Sequence, residues 1–389
     1  MIDLVRRVIA GEGVASAMRR ARGRALEAIT QCLLLLRGRF VRELPTFPIL
    51  NILSTPATPR LGGIQIHLLA RLRAERALRP VALLTPGTLF LSQPRPHARR
   101  VRANDGAFVD AVHEAIAITG ARVLHIEGAY GIPVDGVLRL IDEGLDVVLS
   151  LHDFALIADD PHHLHPPSAP HLLGRKLLQR ARAVVYPSRF LELAHDHPGA
   201  IIPAGIPPVE RPTRSKHAHP PRIAFAGSVQ PRKGAHLIRP IVESLRGRGI
   251  EWFVFGGGNT DVLNALRTET DVRIHGQYAM GELPQLLAKN DIDLVLLLSI
   301  EPELYSLTLS ESWLAGVPVL AFAHGAIEER VSEEGGGVLV PLEAGASGVV
   351  EGIERWLIDR KLPPVPTNIA TAEDAARAYA ELYHRLLLE

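Results

Sequence analysis

The sequence predicts an α/β protein built from two doubly wound units. Short β-rich runs alternate with stretches of helical periodicity, the mark of parallel strands joined by helices. The alternation occurs twice, on either side of a proline-rich stretch that continues neither strand nor helix. A length of 389 residues is enough for two domains, each burying its own core.

Residues 1–45 stand apart as a basic helical segment. They hold nine arginines against Asp3, Glu12, Glu27 and Glu43, a net +5 in a chain whose formal charge is +1. Leu26, Ile29, Leu33 and Leu36 form a stripe at helical spacing. Two readings stand: a surface seeking an anionic partner such as a membrane face, or a helix packing its apolar side on the protein.

Residues 46–205 form the first unit, with strands expected at Ile49–Leu53, Val81–Leu84, Val123–Ile126, Val147–Ser150 and Val184–Tyr186. Helices are expected over Ile64–Arg79 and Val134–Glu143. A linker is read over 206–221, where prolines interrupt the pattern. The second unit, 222–370, repeats the theme with Ile223–Ala226, Trp252–Phe255, Leu294–Leu298 and Val317–Phe322. The unbroken apolar run Leu294–Leu298 suits a strand covered on both faces. Residues 371–389 read as a closing helix, with Thr371 and Asp374 spaced as a cap at its start.

Composition excludes several classes. Apolar residues at 47% and charged residues at 22% fit a globular protein that is neither fibrous nor disordered. A near-zero net charge argues against nucleic acid as a partner. The single cysteine, Cys32, excludes an internal disulfide and a thiolate metal cluster, and a reducing cytoplasm is the default compartment. No apolar run reaches the roughly 18 residues a membrane span needs, and Leu26–Leu36 is not placed like a signal peptide.

The chemistry concentrates after the strand Leu294–Leu298. There the chain reads Glu301-Pro-Glu-Leu-Tyr-Ser-Leu-Thr-Leu-Ser-Glu311, then Ala315-Gly-Val-Pro and another strand. Glu303 falls in a loop and Glu311 inside the following helix. Ser306 is placed to cap that helix, leaving its first N–H groups free for a diphosphate. Ionised carboxylates on either side are acceptors for the hydroxyls of a sugar. The plainer reading is an ordinary acidic helix start.

This arrangement resembles the signature of the family 4 retaining glycosyltransferases, of the GT-B superfamily. The resemblance implies two Rossmann-like domains facing a central cleft. It implies that Glu303 holds hydroxyls of the donor sugar and Glu311 the ribose of the nucleotide. Ser306, Leu307 and Thr308 would offer backbone N–H groups to the phosphates. Ser306 stands where a glycine is more usual.

Gly227-Ser-Val-Gln-Pro-Arg-Lys233-Gly234, between the strand Ile223–Ala226 and a helix, is a second match. A cation at a helix start opposes the macrodipole unless an anion is bound there, so Lys233 invites a phosphate. Ser228 occupies a position where the family usually has arginine, and Arg232 is a candidate to compensate. The Gly256, Gly257, Gly258 run after Trp252–Phe255 is read as letting the nucleotide approach a strand end. In the first unit Gly62-Gly63, followed by His67, resembles the family's Gly-Gly loop and histidine, which implies backbone N–H groups close to a ligand; alternatively, the glycine pair only makes a turn. His152, just past Val147–Ser150, resembles the family's histidine near the reacting sugar; alternatively, the pair His152-Asp153 only caps a strand end.

Two metal-like patterns are set aside. Asp291 and Asp293 sit at the start of a buried strand, and His162, His163, His165 and His171 lie among prolines without thiolates. No cofactor or metal is expected, with a nucleotide-diphosphate sugar (UDP or GDP type) as co-substrate. The resemblance implies donor binding by 222–370 and acceptor binding by 46–205. The implied reaction is retaining sugar transfer to a glycan or lipid-linked acceptor in cell-surface polysaccharide synthesis, with His152, Glu303 and Lys233 as catalytic groups. The expected location is cytoplasmic, peripheral to a membrane if residues 1–45 dock there. The alternatives are a non-catalytic nucleotide-sugar-binding subunit and a nucleotide-sugar epimerase or phosphorylase on the same fold.

Overall fold

Fully buried runs become the strands. Leu294–Leu297 has every residue inside, as have Ile49–Ile52 and Val123–Glu127, which is what a sheet covered on both faces requires. The computed structural model describes residues 27–39, 41, 43–56, 63–101, 108–162, 171–214, 219–267, 272–279, 281–361 and 363–388. Most of the basic segment, Gly62, His163 and His165 lie outside those residues. The chain divides into two compact units, Ala25–Pro207 with Ala370–Glu389, and Pro208–Ile369.

The first unit begins with helix α1, residues 27–38. Its sheet runs through β1 (Ile49–Ile52), β2 (Ala82–Thr85), β3 (Thr88–Leu91), β4 (His97–Arg100), β5 (Val123–Glu127), β6 (Asp146–Ser150), β7 (Ala183–Tyr186) and β8 (Ala200–Ile201). Their spatial order is β4-β3-β2-β1-β5-β6-β7-β8, with β2, β3 and β4 paired antiparallel and the rest parallel. Helices α2 (Gly63–Glu75), α3 (Phe108–Thr119), α4 (Val134–Asp142), α5 (Leu172–Arg180) and α6 (Arg189–His195) make the crossovers. The β2–β3–β4 meander was not expected. Its turn is Pro86-Gly87 with Gly87 at φ +69°, a left-handed position that glycine takes without steric cost.

In the second unit the strands are β9 (Arg222–Ala226), β10 (Glu251–Phe255), β11 (Val272–Gly276), β12 (Leu294–Leu297), β13 (Val319–Phe322) and β14 (Gly337–Val340). All pairings are parallel, in the order β11-β10-β9-β12-β13-β14. This is the doubly wound order of nucleotide-binding sheets, and its direction reverses between β9 and β12. Helices α7 (Ala235–Ser244), α8 (Thr260–Leu266), α9 (Leu283–Lys289), α10 (Leu307–Leu314), α11 (Gly325–Glu334) and α12 (Gly345–Asp359) complete it. Strand β13 starts at Val319, not Val317, because Pro318 has no N–H to give to a ladder. The segment expected as linker is partly built in. Arg214 donates to the carbonyls of Ile292 and Gly316, and Arg211 to that of Pro366.

The last helix, α13 (Ala372–Leu388), belongs to the first unit. Thr371 and Asp374 cap it reciprocally: Asp374 N–H donates to Thr371 Oγ1 at 3.2 Å and Thr371 N–H to Asp374 Oδ2 at 2.9 Å. Ala375, Tyr379, Leu382 and Tyr383 complete the core over Ile49, Val123, Val148 and Val185.

Candidate active site

At a doubly wound sheet's switch point, ligands bind beyond the carboxyl ends of the strands that diverge there. In the second unit these are β9 and β12, and the loops after them hold most of the expected donor residues. The loop after β9 turns through Gly227, at φ +120°, and a 3-10 turn over Pro231–Lys233. Arg232's carbonyl accepts from Ile300 N–H at 3.0 Å, fastening this loop to the one after β12. Gly234, at φ +70°, has no room for a Cβ, which would strike the Leu298 carbonyl. The Lys233 backbone is thereby fixed beside β12.

Lys233 Nζ and Glu303 Oε1 form an ion pair, and Ser299 Oγ donates to the same carboxylate oxygen at 2.6 Å. Burial works to raise the Glu303 carboxyl; Lys233, Ser299 and Arg232 outweigh it and hold the group below its usual value. The two residues were expected to bind separate parts of a ligand. Without a ligand they are bound to each other, with side chains 25% and 19% exposed, so both remain reachable.

Neighbouring elements brace this loop. His324 Nε2 donates to the Ser299 carbonyl at 2.6 Å, and Ala326 N–H to the Glu303 carbonyl at 2.8 Å. Ser306 is the cap of α10, and its hydroxyl accepts from Leu309 N–H at 3.4 Å. Its backbone sits at φ +69°, ψ +88°, a left-handed conformation unusual for serine. That explains why glycine is the easier residue there. The N–H groups of Ser306, Leu307 and Thr308 have no acceptor among the described residues.

One turn into α10, Glu311 is buried and accepts from Gly281 N–H at 2.8 Å. Burial pushes its carboxyl up to about 7 against that bond. Tyr278, held by the Thr308 side chain, has its phenol pushed up by burial and by Glu311. The sequence reading missed Ser299, His324, Tyr278 and Gly281. Only His324-Gly325 carried a legible signal, a polar residue and a glycine directly after a strand.

Ser228 and Arg232 lie in the β9 loop, where Arg232 Nε donates to Gln230 Oε1 at 3.1 Å. Gly256 and Gly258 follow β10, and side chains there would collide with the carbonyls of Gly227 and Val229; one at Gly257 would meet Gln277. Their small size is thus accounted for by the close passage of neighbouring segments. Asp293 Oδ2 accepts from Arg222 N–H at 2.9 Å at the opposite, amino end of the sheet.

In the first unit His152 follows β6 and lies against His67 of α2, rings 5.7 Å apart and edge-on. His67 Nδ1 donates to the Gly205 carbonyl at 3.3 Å. Burial lowers His67 to about 3, aided by His152 and Arg71, and lowers His152 to about 4, aided by Arg71, so both rings are neutral at pH 7. Asp153, next to His152, is structural: its carboxylate accepts from Ala129, Tyr130 and Ala155 N–H at 3.0–3.2 Å. Gly63 opens α2 and is exposed. His171 pairs with Asp159 at 2.9 Å.

Residues 220–359 match the family model described as glycosyl transferases group 1. Among solved structures, a sucrose-phosphate synthase from Thermosynechococcus elongatus aligns at TM-score 0.66 and 17% identity, covering 88% of this chain and 100% of that one. Anabaena HepE in complex with UDP and glucose aligns at 0.61 and 16%, covering 87% and 99%. The catalytic domain of starch synthase IV from Arabidopsis thaliana, bound to ADP and acarbose, aligns at 0.61 and 12%, covering 89% and 100%. Comparison with curated proteins gave no match.

Proposed function

We propose that this GT-B chain, whose residues 220–359 match the group 1 glycosyl transferases, moves a sugar from a nucleotide-diphosphate sugar to a glycan or lipid-linked acceptor with retained anomeric configuration. One observation carries the reading. At the switch point between β9 and β12, the Lys233–Glu303 pair lies in loops that also hold the three N–H groups opening α10. Such a set offers positive charge and oriented donors to a diphosphate, with carboxylate acceptors for hydroxyls close by. The neighbours solved with UDP and with ADP support a nucleoside diphosphate as ligand.

In this reading Glu311 receives the ribose hydroxyls and Glu303 those of the sugar. The bond from the anomeric carbon to the diphosphate breaks while the acceptor oxygen bonds the same face. The acceptor proton passes to the departing diphosphate oxygen. Lys233 and the helix amides supply the charge that a divalent metal would otherwise bring. The first unit, with His152 just after β6 and His67 of α2 against it, is read as the acceptor-binding part. Thermal shift with UDP, GDP and ADP and their sugars tests donor binding. Proton NMR of the first-formed product then reads the anomeric configuration. An inverted product, or diphosphate release independent of acceptor, would sink the proposal.

The outward face of α1 favours membrane docking over internal packing. Ile29, Leu33 and Leu36 are 56%, 52% and 50% exposed, with Arg37 and Arg39 close behind. No helix among the described residues is long and apolar enough to cross a membrane. An apolar stripe bordered by arginines fits the interface of an anionic bilayer, each arginine adding on the order of 1 kcal/mol there. Co-sedimentation with anionic vesicles should fall with salt, and fall further in Leu33→Glu/Leu36→Glu. Equal pelleting of the variant would remove α1 from the membrane reading.

A further inference from the structure

The loop before α10 is held in an unfavourable conformation by a residue from another βα unit. Arg330 of α11 is 5% exposed. Its Nη1 donates to the carbonyls of Tyr305 at 3.0 Å and Ser306 at 3.2 Å. The guanidinium carbon lies 4.1 Å from the centre of the Tyr305 ring and 4.9 Å from that of Trp313. Trp313 is anchored in turn by its Nε1 donating to the Gly336 carbonyl at 2.9 Å. The carboxylate paired with Arg330 is Glu334, 3.3 Å from Nε and 37% exposed, so water screens the negative partner more than the buried cation.

In a trans peptide the C=O and the following N–H point in opposite directions. Drawing the carbonyls of Tyr305 and Ser306 toward one guanidinium therefore turns the N–H groups of Ser306 and Leu307 away from it. Those N–H groups are two of the three without an acceptor among the described residues. Holding both peptide planes this way places Ser306 at φ +69°, a conformation that persists in a non-glycine residue only when its surroundings enforce it.

We propose that Arg330 is the positioning residue of the diphosphate site. By gripping two successive carbonyls it presents the opposed amides to the anion, and it enforces the left-handed turn at Ser306 that this requires. This rests on the diphosphate reading of the site proposed above. Lysine cannot replace arginine here: an ammonium could reach both carbonyls as Nη1 does, but it lacks the flat guanidinium that lies over the Tyr305 and Trp313 rings while Nε holds Glu334.

The test measures inorganic pyrophosphate and UDP binding by calorimetry, with the thermal midpoint of each protein. It compares wild type, Arg330→Met, Arg330→Lys, and Arg330→Met combined with Ser306→Gly. Arg330→Met should weaken pyrophosphate on the order of tenfold, a loss typical of misplaced charge-assisted hydrogen bonds. Arg330→Lys, which keeps the charge, should still lose affinity, and it carries the test if the methionine variant does not fold. Ser306→Gly in the methionine background should recover part of the loss, since glycine reaches φ +69° unaided. Wild-type affinity in Arg330→Lys, or no recovery with glycine, overturns the positioning role. Failure of wild type itself to bind pyrophosphate, UDP, GDP or ADP is a different result: it sinks the diphosphate reading and the role of Arg330 with it.

Discussion

In the first unit Arg71, Glu75 and Glu127 are withdrawn almost entirely from water, whereas in the second Lys233 and Glu303 keep a fifth to a quarter of their side-chain surface. Arg71 bridges Glu75 at 3.0 Å and pairs with Glu127, while Arg79 pairs with the other side of Glu75. The two guanidiniums lie over the rings of Tyr379 and Tyr383, 4.0 and 4.5 Å away. His125 lies 2.5 Å from the Tyr383 hydroxyl and 2.7 Å from Ser150, which meets the Tyr379 hydroxyl at 2.7 Å. All partners are internal, so this network serves to dock α13. The pair in the second unit is open on one side, and an open pair can exchange its partner for a ligand. Burial separates an ionic group closed within the fold from one still open to a ligand.

The largest effect should come from breaking the closed network. Arg71→Met leaves Glu75 and Glu127 buried with too little positive charge, a loss of about 3–5 kcal/mol. Hydrogen exchange should show it as lost protection in β5 and β6. Unchanged exchange there would mean that the network contributes nothing to docking α13.

Glu311 gives the next effect, with stability and binding moving in opposite directions. Its carboxyl titrates near 7 in the folded chain, against an ordinary value of 4.5. Between those values the folded state keeps a proton that the unfolded chain has released. Stability therefore falls as pH rises from about 4.5 through 7 and is flat above. Glu311→Gln removes this term and should stabilise the ligand-free protein at pH 8 by up to about 3 kcal/mol. The same change should weaken nucleoside diphosphate by about ten- to a hundredfold. Thermal unfolding against pH, with and without UDP, checks both.

For the open pair, Lys233→Met should lift the Glu303 carboxyl toward its ordinary range and reduce diphosphate affinity by about 1.5–3 kcal/mol. The fold should be little affected, since the pair is partly solvated. Glu303→Gln should lower turnover more than donor affinity, read by single-turnover rates beside a donor titration. Activity should survive exhaustive chelation; a tenfold gain on restoring Mg²⁺ or Mn²⁺ would assign charge neutralisation to a metal.

The parallel strands were legible because a strand buried on both faces is an unbroken apolar run, as in Leu294–Leu298. The meander β2–β4 was not, because its edge strand His97–Arg100 carries charge and follows a proline-rich turn. Yet Pro86-Gly87 between Leu84 and Leu89 is a turn signal that could have revealed its first half. On the continuous segment from Glu303 to Glu311, the loop position of Glu303, the cap at Ser306 and the helical position of Glu311 were readable, because one local pattern sets all three. Arg330 and Tyr278 were not, since each reaches α10 from a separate βα unit and no local pattern ties them to it. The Lys233–Glu303 contact joins residues 70 positions apart, a pairing visible only once β9 and β12 are neighbours.

The docking of α13 also sets an order of events during synthesis. Ala375, Tyr379, Leu382 and Tyr383 sit in a core whose remaining buried members, from Ile49 to Ile202, are translated well before them. At about 5–20 residues per second, the ribosome needs roughly ten to forty seconds to pass from residue 207 to 388. Throughout that interval the second unit emerges and can fold, while Arg71 and Arg79 lack their aromatic cover. The nascent first unit therefore waits with an open flank, and its maturation is timed by the translation of residues 372–388.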